Sequence, residues 1–220
     1  MGFWTRTLLA DAGPLWHGLS VTLSISVIAF VVANLMGLAI CVTRAFLPAL
    51  RPVFAAYIAF CRNTPIFIQL LWVAYAWYDL IGWPKDVFTA AWVALALQSS
   101  GYLAETFRTG IDSVPHGHVE AALALGIGRL SIWRRIILPQ MLLTIAPSLM
   151  NQVIVIIKCS TLVSVIAVPD LMFQALRLTG VWGDPVPVMS FVAAVFIAVI
   201  LALSLASKRV ADAARARLHG

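Results

Sequence analysis

Residues 120–139 read EAALALGIGRLSIWRRIILP. Glu120 with a patch of small residues, glycines at 126 and 128, and the Arg134–Arg135 pair come first, and the chain then enters an apolar run through Pro139. This hydrophilic break interrupts a 220-residue chain that is 62% hydrophobic and only 11% charged. A soluble domain of that composition cannot cover its surface with polar groups. The chain therefore belongs in a bilayer, and residues 120–139 mark where it leaves the hydrocarbon and returns.

A bilayer-crossing helix needs about 20 mostly apolar residues, because it must satisfy its own backbone hydrogen bonds across about 30 Å of hydrocarbon. Outward from the break, five segments qualify: 18–42, 53–78, 87–107, 135–158 and 186–207, the second interrupted only by Arg62. The expected architecture is an all-α polytopic membrane protein, a single domain over 1–220 with five transmembrane helices and the loop 112–134 between spans three and four. The apolar stretch at 19–42 is well beyond the roughly 7–15 residues of a signal-peptide core, so it reads as an uncleaved anchor. Between 159 and 183, Pro169 and Asp170 arrive after too few apolar residues to cross, which suggests a short re-entrant or interfacial turn. An amphipathic outer helix follows, with Trp182, Pro185 and Pro187 at a turn.

An odd number of spans puts the termini on opposite sides. Of the 15 basic residues, Arg44, Arg51, Arg108, Arg129, Arg134, Arg135, Lys208, Arg209, Arg215 and Arg217 fall on one side. Arg6, Lys85 and Arg177 fall on the other, while Arg62 and Lys158 lie in or near spans. Lys and Arg concentrate in cytoplasmic loops, so the amino terminus is expected outside and the carboxyl terminus in the cytoplasm. The formal charge of +6 is then a topological signal, and no nucleic-acid partner is expected.

Arg62 lies nine residues into the second segment, about 13 Å along a helix. Facing lipid there costs an arginine about 3 kcal/mol, so it should face protein or water. Asn63, Thr64 and Pro65 follow, and Pro65 removes a backbone donor and loosens the helix. A broken helix at membrane depth is tolerated only where it is buried in protein or lines a wet cavity. Arg62 and Gln69, Gln98 and Glu105, and Asn151 and Lys158 are each seven residues apart, almost two helical turns, so each pair is expected on one face. Arg62, Asn63, Thr64, Gln98, Glu105, Asn151 and Lys158 are thus candidates for a hydrophilic pathway. The alternative is interhelical bonding, with Glu105 and Arg108 paired at i, i+3 and Lys158 snorkelling.

No catalytic constellation is evident. GIGRLS lacks the Gly-Lys-Ser/Thr of a nucleotide cradle. His17, His116, His118 and His219 are scattered, and Cys41, Cys61 and Cys159 sit in apolar stretches as packing residues, so no metal site is expected. The chain is not expected to be an enzyme or to hold a cofactor of its own.

In the break itself a helix is expected to open after Pro115, with Glu120 in an early turn where the helix dipole favours an acid. Ala121, Ala122 and Ala124 leave a small-residue surface, Leu123 and Leu125 offer apolar contact, and Gly126 and Gly128 end the helix. Ser131 is positioned to cap a second helix carrying Trp133 and the arginine pair, and Pro139 falls in the first turn of span four. Such a helix either docks in a socket on another protein or lies on the inner leaflet.

Glu-Ala-Ala, three residues, Gly, nine residues and Ile-x-Leu-Pro are met by Glu120, Ala121, Ala122, Gly126, Ile136, Leu138 and Pro139. This spacing resembles the signature loop of the membrane subunits of binding-protein-dependent ABC importers. HGLSVTLSISVIAF, CRNTPIFIQL, SSGYLAETFRTGIDSVPHG and NQVIVIIKCSTLVSVIAVPDL resemble elements of the polar amino-acid branch. Asn63 stands where that branch usually has glycine, and Cys159 where it usually has an acid. The resemblance implies a pore of two permease subunits, identical or related, in the bacterial inner (plasma) membrane. Two cytoplasmic ABC ATPases would lie beneath and hold the ATP and Mg, and a periplasmic or extracellular binding protein would deliver a polar amino acid. The seven loop residues would form a coupling helix seated in an ATPase groove. Import of opines, methionine or a quaternary amine is the alternative within the family, and a non-transport membrane scaffold the alternative outside it. A self-sufficient secondary transporter would carry more spans or clear inverted repeats.

Overall fold

The computed structural model describes residues 12–219. Arg6, and the side chains of Arg215, Arg217 and His219, lie outside the described residues. Nearly all of the described chain is helical and none of it is strand. The helices are α1 (Ala12–Phe46), α2 (Arg51–Asn63), α3 (Ile66–Ile81), α4 (Val87–Asp112), α5 (His116–Ala124), α6 (Arg129–Ile166), α7 (Leu171–Trp182) and α8 (Pro185–His219). A 3₁₀ turn at Pro48–Leu50 joins α1 to α2. α3 and α6 contain π turns at Trp72–Ala76 and Trp133–Ile137, and α6 ends in a 3₁₀ stretch at Thr161–Ile166.

By length and composition α1, α4, α6 and α8 can cross a membrane, and α2 with α3 makes a fifth if the bent pair is one span. The segment 53–78 is broken at Asn63–Ile66, where the chain bends by 107° between its two helices. α4 runs five residues past 107, and the chain is helical again from Arg129, inside the expected loop.

α4 is the central post. Its buried positions are mostly small: Ala90, Ala91, Ala94, Ala96, Ser99, Ser100, Gly101 and Ala104. Lipid tails are as apolar as leucine, so helices associate in a bilayer through close packing and hydrogen bonds, which small residues permit. α1 answers with Ile25, Ala29, Ala33 and Gly37 at four-residue steps. A Cβ on Gly37 would lie 2.9 Å from that of Leu103. On other faces of α4, Gly101 admits Cys61 of α2 and Gly110 admits Met141 and Ile145 of α6.

Hydroxyl groups inside the spans bond to their own helices, as Ser26 does to Thr22 O at 2.7 Å and Thr106 to Tyr102 O at 3.0 Å. At the other end of the bundle, Asp86 caps α4 through Thr89 N–H (2.8 Å), and this hydrogen bond holds its carboxyl below the usual range. Asp170 caps α7 through Phe173 N–H (2.8 Å), and burial pushes its carboxyl up to about 6. The start of α7 docks on α1, where Thr22 Oγ1 accepts from Leu171 N–H at 3.1 Å and a Cβ on Gly18 would strike Asp170.

Candidate functional site

Pro65 has no N–H to meet the carbonyl of Cys61 four residues earlier, and it drives Thr64 into extended backbone (φ −86°, ψ 129°). α2 stops there, and side chains take up the released carbonyls. Gln69 Nε2 donates to Cys61 O at 3.1 Å and to Thr64 O at 3.3 Å, while the Tyr102 hydroxyl of α4 donates to Arg62 O at 3.3 Å. Arg62 and Gln69 therefore do not share a face. The bend falls between them, leaving Arg62 exposed and Gln69 2% exposed as an internal brace.

The bend presents Arg62 to α4, with its guanidinium 5.4 Å from the ring centre of Tyr102. Below it opens a cavity of about 440 Å³ whose lining includes Arg62 of α2, Tyr102, Glu105, Thr106, Arg108 and Thr109 of α4, and Thr144 and Ser148 of α6. Contact of Gly110 with Met141 and Ile145, together with a 3.1 Å hydrogen bond from Gln152 to Ser99, sets α4 and α6 antiparallel here.

The charges at the floor form a network. Glu105 Oε1 accepts from Arg44 Nη1 at 2.8 Å and Oε2 from Arg108 Nε at 2.8 Å, and Arg108 Nη1 donates to Asp112 at 2.9 Å. The Glu105–Arg108 pair was legible in the spacing; Arg44, 61 residues away in sequence, was not. Arg62 has no carboxylate partner among the described residues. The hydroxyl protons of Thr106 and Thr144 go to Tyr102 O and Gln140 O, each at 3.0 Å, so their oxygens retain lone pairs. The cavity thus holds an uncommitted donor fork and a set of acceptors.

Of the other residues singled out from sequence, Asn63, Thr64, Gln98, Asn151 and Lys158 do not line this cavity. Gln98 lies two turns further along α4 from Glu105. Asn151 and Lys158 continue the exposed face of α6 that begins with Thr144 and Ser148. Tyr102, Thr109, Thr144 and Ser148 went unremarked. Extending the Gln98–Glu105 spacing by three- and four-residue steps finds the first two, and the same steps back from Asn151 find the others.

At the end where α4 finishes, α5 forms a platform on the start of α6. Ala122 turns inward at 3% exposure, whereas Glu120, Ala121, Ala124 and Leu125 face outward, Leu125 at 79%. Gly126 ends the helix in the left-handed region (φ +72°), and Ile127 N–H closes it on Ala122 O at 3.0 Å. Gly128 rather than Ser131 stands at the cap of the next helix, because Ser131 is already inside Arg129–Ile132. Glu120 sits in the second turn, past the reach of the amino-terminal dipole. Ile136 is half-buried within the π turn, and Leu138 and Pro139 are exposed just beyond it.

Residues 29–220 match the family described as binding-protein-dependent transport system inner membrane component. The chain belongs to this family. It is a multi-pass membrane protein and a permease subunit of an ABC importer, a transport component that is normally not catalytic. It is 31% identical over 198 residues to the arginine transport system permease protein of Bacillus subtilis, spanning 88% of this chain and 90% of that one. It is 40% identical over 161 residues to a putative glutamine transport system permease protein of Rickettsia conorii, spanning 72% and 73%. A chain of the crystal structure of an amino acid ABC transporter with histidines superposes with a TM-score of 0.87 at 31% identity, covering 96% of this chain and 99% of that one.

Proposed function

We propose that this permease moves a polar amino acid across the bacterial inner membrane, with its amino terminus outside and its carboxyl terminus in the cytoplasm. Two cytoplasmic ATPases that hold ATP and Mg dock on the α5 platform through the outward Glu120 and Ala121, with the inward Ala122 and the Gly126 turn holding the platform in shape and Ile136, Leu138 and Pro139 fixing the angle at which α6 leaves it. An external binding protein delivers the solute, and a second permease subunit, identical or related, completes the pore. Resemblance to arginine and glutamine permeases supports the substrate class.

The observation that carries this reading is the chemistry of the cavity. A zwitterion needs donors for its carboxylate and acceptors for its ammonium. Arg62 is a guanidinium with no carboxylate partner among the described residues, and it faces threonine oxygens whose protons are spent on their own helices. Both Glu105 oxygens are already engaged by arginines, so Glu105 holds the floor and contributes only its remaining lone pairs. Gln98, Asn151 and Lys158 extend the same faces towards the other end of the bundle, and Asn63 and Thr64 flank the bend; together they continue the path.

The test is ATP-driven uptake in proteoliposomes holding the full chain with its ATPase and binding protein, over a panel of amino acids, an opine and a quaternary amine. Arg62→Ala is expected to lower uptake about tenfold or more, as loss of a hydrogen bond to a charged group does. Unchanged uptake by that variant in an intact complex removes Arg62 from the path. An assembled complex that moves no solute from the panel favours the scaffold reading.

A further inference from the structure

A second cavity, of about 350 Å³, lies on the other side of the Arg44–Glu105–Arg108 network, at the end of the bundle where α4 gives way to α5. Its walls include Arg44 at the end of α1, Arg51 at the start of α2, and Arg108 with Asp112 in the last turns of α4; Cys41 and Ile111 line it as well. Three guanidinium groups thus meet two carboxylates, Glu105 and Asp112, and both carboxylates are taken by Arg44 and Arg108. Arg51 is the surplus cation. Its Nε donates to Arg44 O at 3.2 Å, and no carboxylate pairs with it among the described residues.

Each arginine keeps N–H groups with no acceptor among the described residues. Arg44 uses only Nη1, Arg51 only Nε, and Arg108 only Nε and Nη1. Guanidinium forks in this state suit the oxygens of a phosphate, which accept two parallel bonds. The surroundings point to a lipid as the source of that phosphate. Next to these arginines in the chain, Phe46, Leu47, Leu50 and Val53 are all exposed, a surface for acyl chains that a free anion would not use. Basic pockets between membrane helices at the cytoplasmic side are where anionic headgroups bind.

We propose that this cavity binds the phosphate of an anionic phospholipid in the leaflet on the α5 side, held by Arg44, Arg51 and Arg108. The site adjoins the solute cavity and shares Arg108 with it, but it does not rest on the proposed substrate.

The probe is phosphatidylglycerol titrated into the purified full-length chain in detergent–phosphatidylcholine micelles, with the thermal midpoint as readout. Phosphatidylglycerol is expected to raise the midpoint where an equal addition of phosphatidylcholine does not. Arg51→Gln is expected to weaken the apparent affinity roughly fivefold, and Arg44→Gln with Arg51→Gln more. Arg51→Lys should lose less, since it keeps the charge and loses the fork. Equal response to both lipids, or an affinity unchanged by either glutamine variant, overturns the proposal. Millimolar inorganic phosphate without phosphatidylglycerol forms a separate arm, and an equal, Arg51-dependent shift there makes the ligand a soluble anion and overturns the lipid. The midpoint in phosphatidylcholine alone checks the fold of Arg51→Gln. Should that fall, native mass spectrometry of the wild-type chain decides, by whether phosphatidylglycerol is retained over phosphatidylcholine.

Discussion

Around the cavity below the bend, Glu105 is held by two arginines, and the carbonyls opened by Pro65 are met by Gln69 and Tyr102. On the α5 platform, Glu120, Ala121 and Leu125 face outward, and no salt bridge forms there among the described residues. The cavity is organised by its own chain; the platform presents a surface for another to complete. A site that binds a small zwitterion gains from groups fixed in advance, because ordering them on binding would weaken it. A docking knob needs only a rigid backbone and small side chains, which the Gly126 turn and the buried Ala122 supply.

If the cavity is self-organised, removing its braces must unfold or loosen it. Gln69→Leu carries the largest expected cost. It keeps the volume but leaves the buried Cys61 O and the half-buried Thr64 O without their side-chain partner, for about 2–4 kcal/mol against unfolding in detergent. An unchanged midpoint would mean that Pro65 alone sets the 107° angle. Glu105→Gln comes next, at about 1–2 kcal/mol, since Arg44 and Glu105 are each 23% exposed and solvent screens part of the loss. Asp112→Asn is its control. At 60% exposure that carboxylate sits in a surface pair, and the change is expected within about 0.5 kcal/mol. A cost for Asp112→Asn equal to that of Glu105→Gln would show that the network is not organised around Glu105.

This contrast also explains what the sequence made legible. The platform is written in about twenty consecutive residues, and its helix, glycine turn and small outer face follow from local rules. Only its fine points differ, Gly128 in place of Ser131 as cap and Glu120 one turn too far in for the helix dipole, because helix ends are set within a residue or two by backbone geometry. The cavity is tertiary. Proline chemistry announced a break after Asn63, but not that Gln69 would reach back across it, so a seven-residue spacing valid for an unbroken helix set Gln69 on the wrong face. Arg44 meets Glu105 only because Gly37 and the small residues of α4 bring α1 close. Spacing within one helix carries no record of that approach.

The smallest expected effect on stability belongs to the platform, and it separates the two designs most sharply. Leu125 is 79% exposed, so Leu125→Asp removes almost no packing and should shift the unfolding free energy by less than about 0.5 kcal/mol. If the outward face of α5 seats in an ATPase groove, the same change buries a carboxylate where an apolar side chain belonged. An interface anchor lost in this way costs about 2 kcal/mol or more, roughly thirtyfold in affinity. ATPase co-purification and ATP-driven uptake should both fall while the midpoint of the isolated chain stays put. Ala122→Trp behaves the other way, because at 3% exposure its indole has no room and the chain itself destabilises. Uptake at the wild-type level with Leu125→Asp would break the comparison, leaving α5 as a folded surface that carries no force.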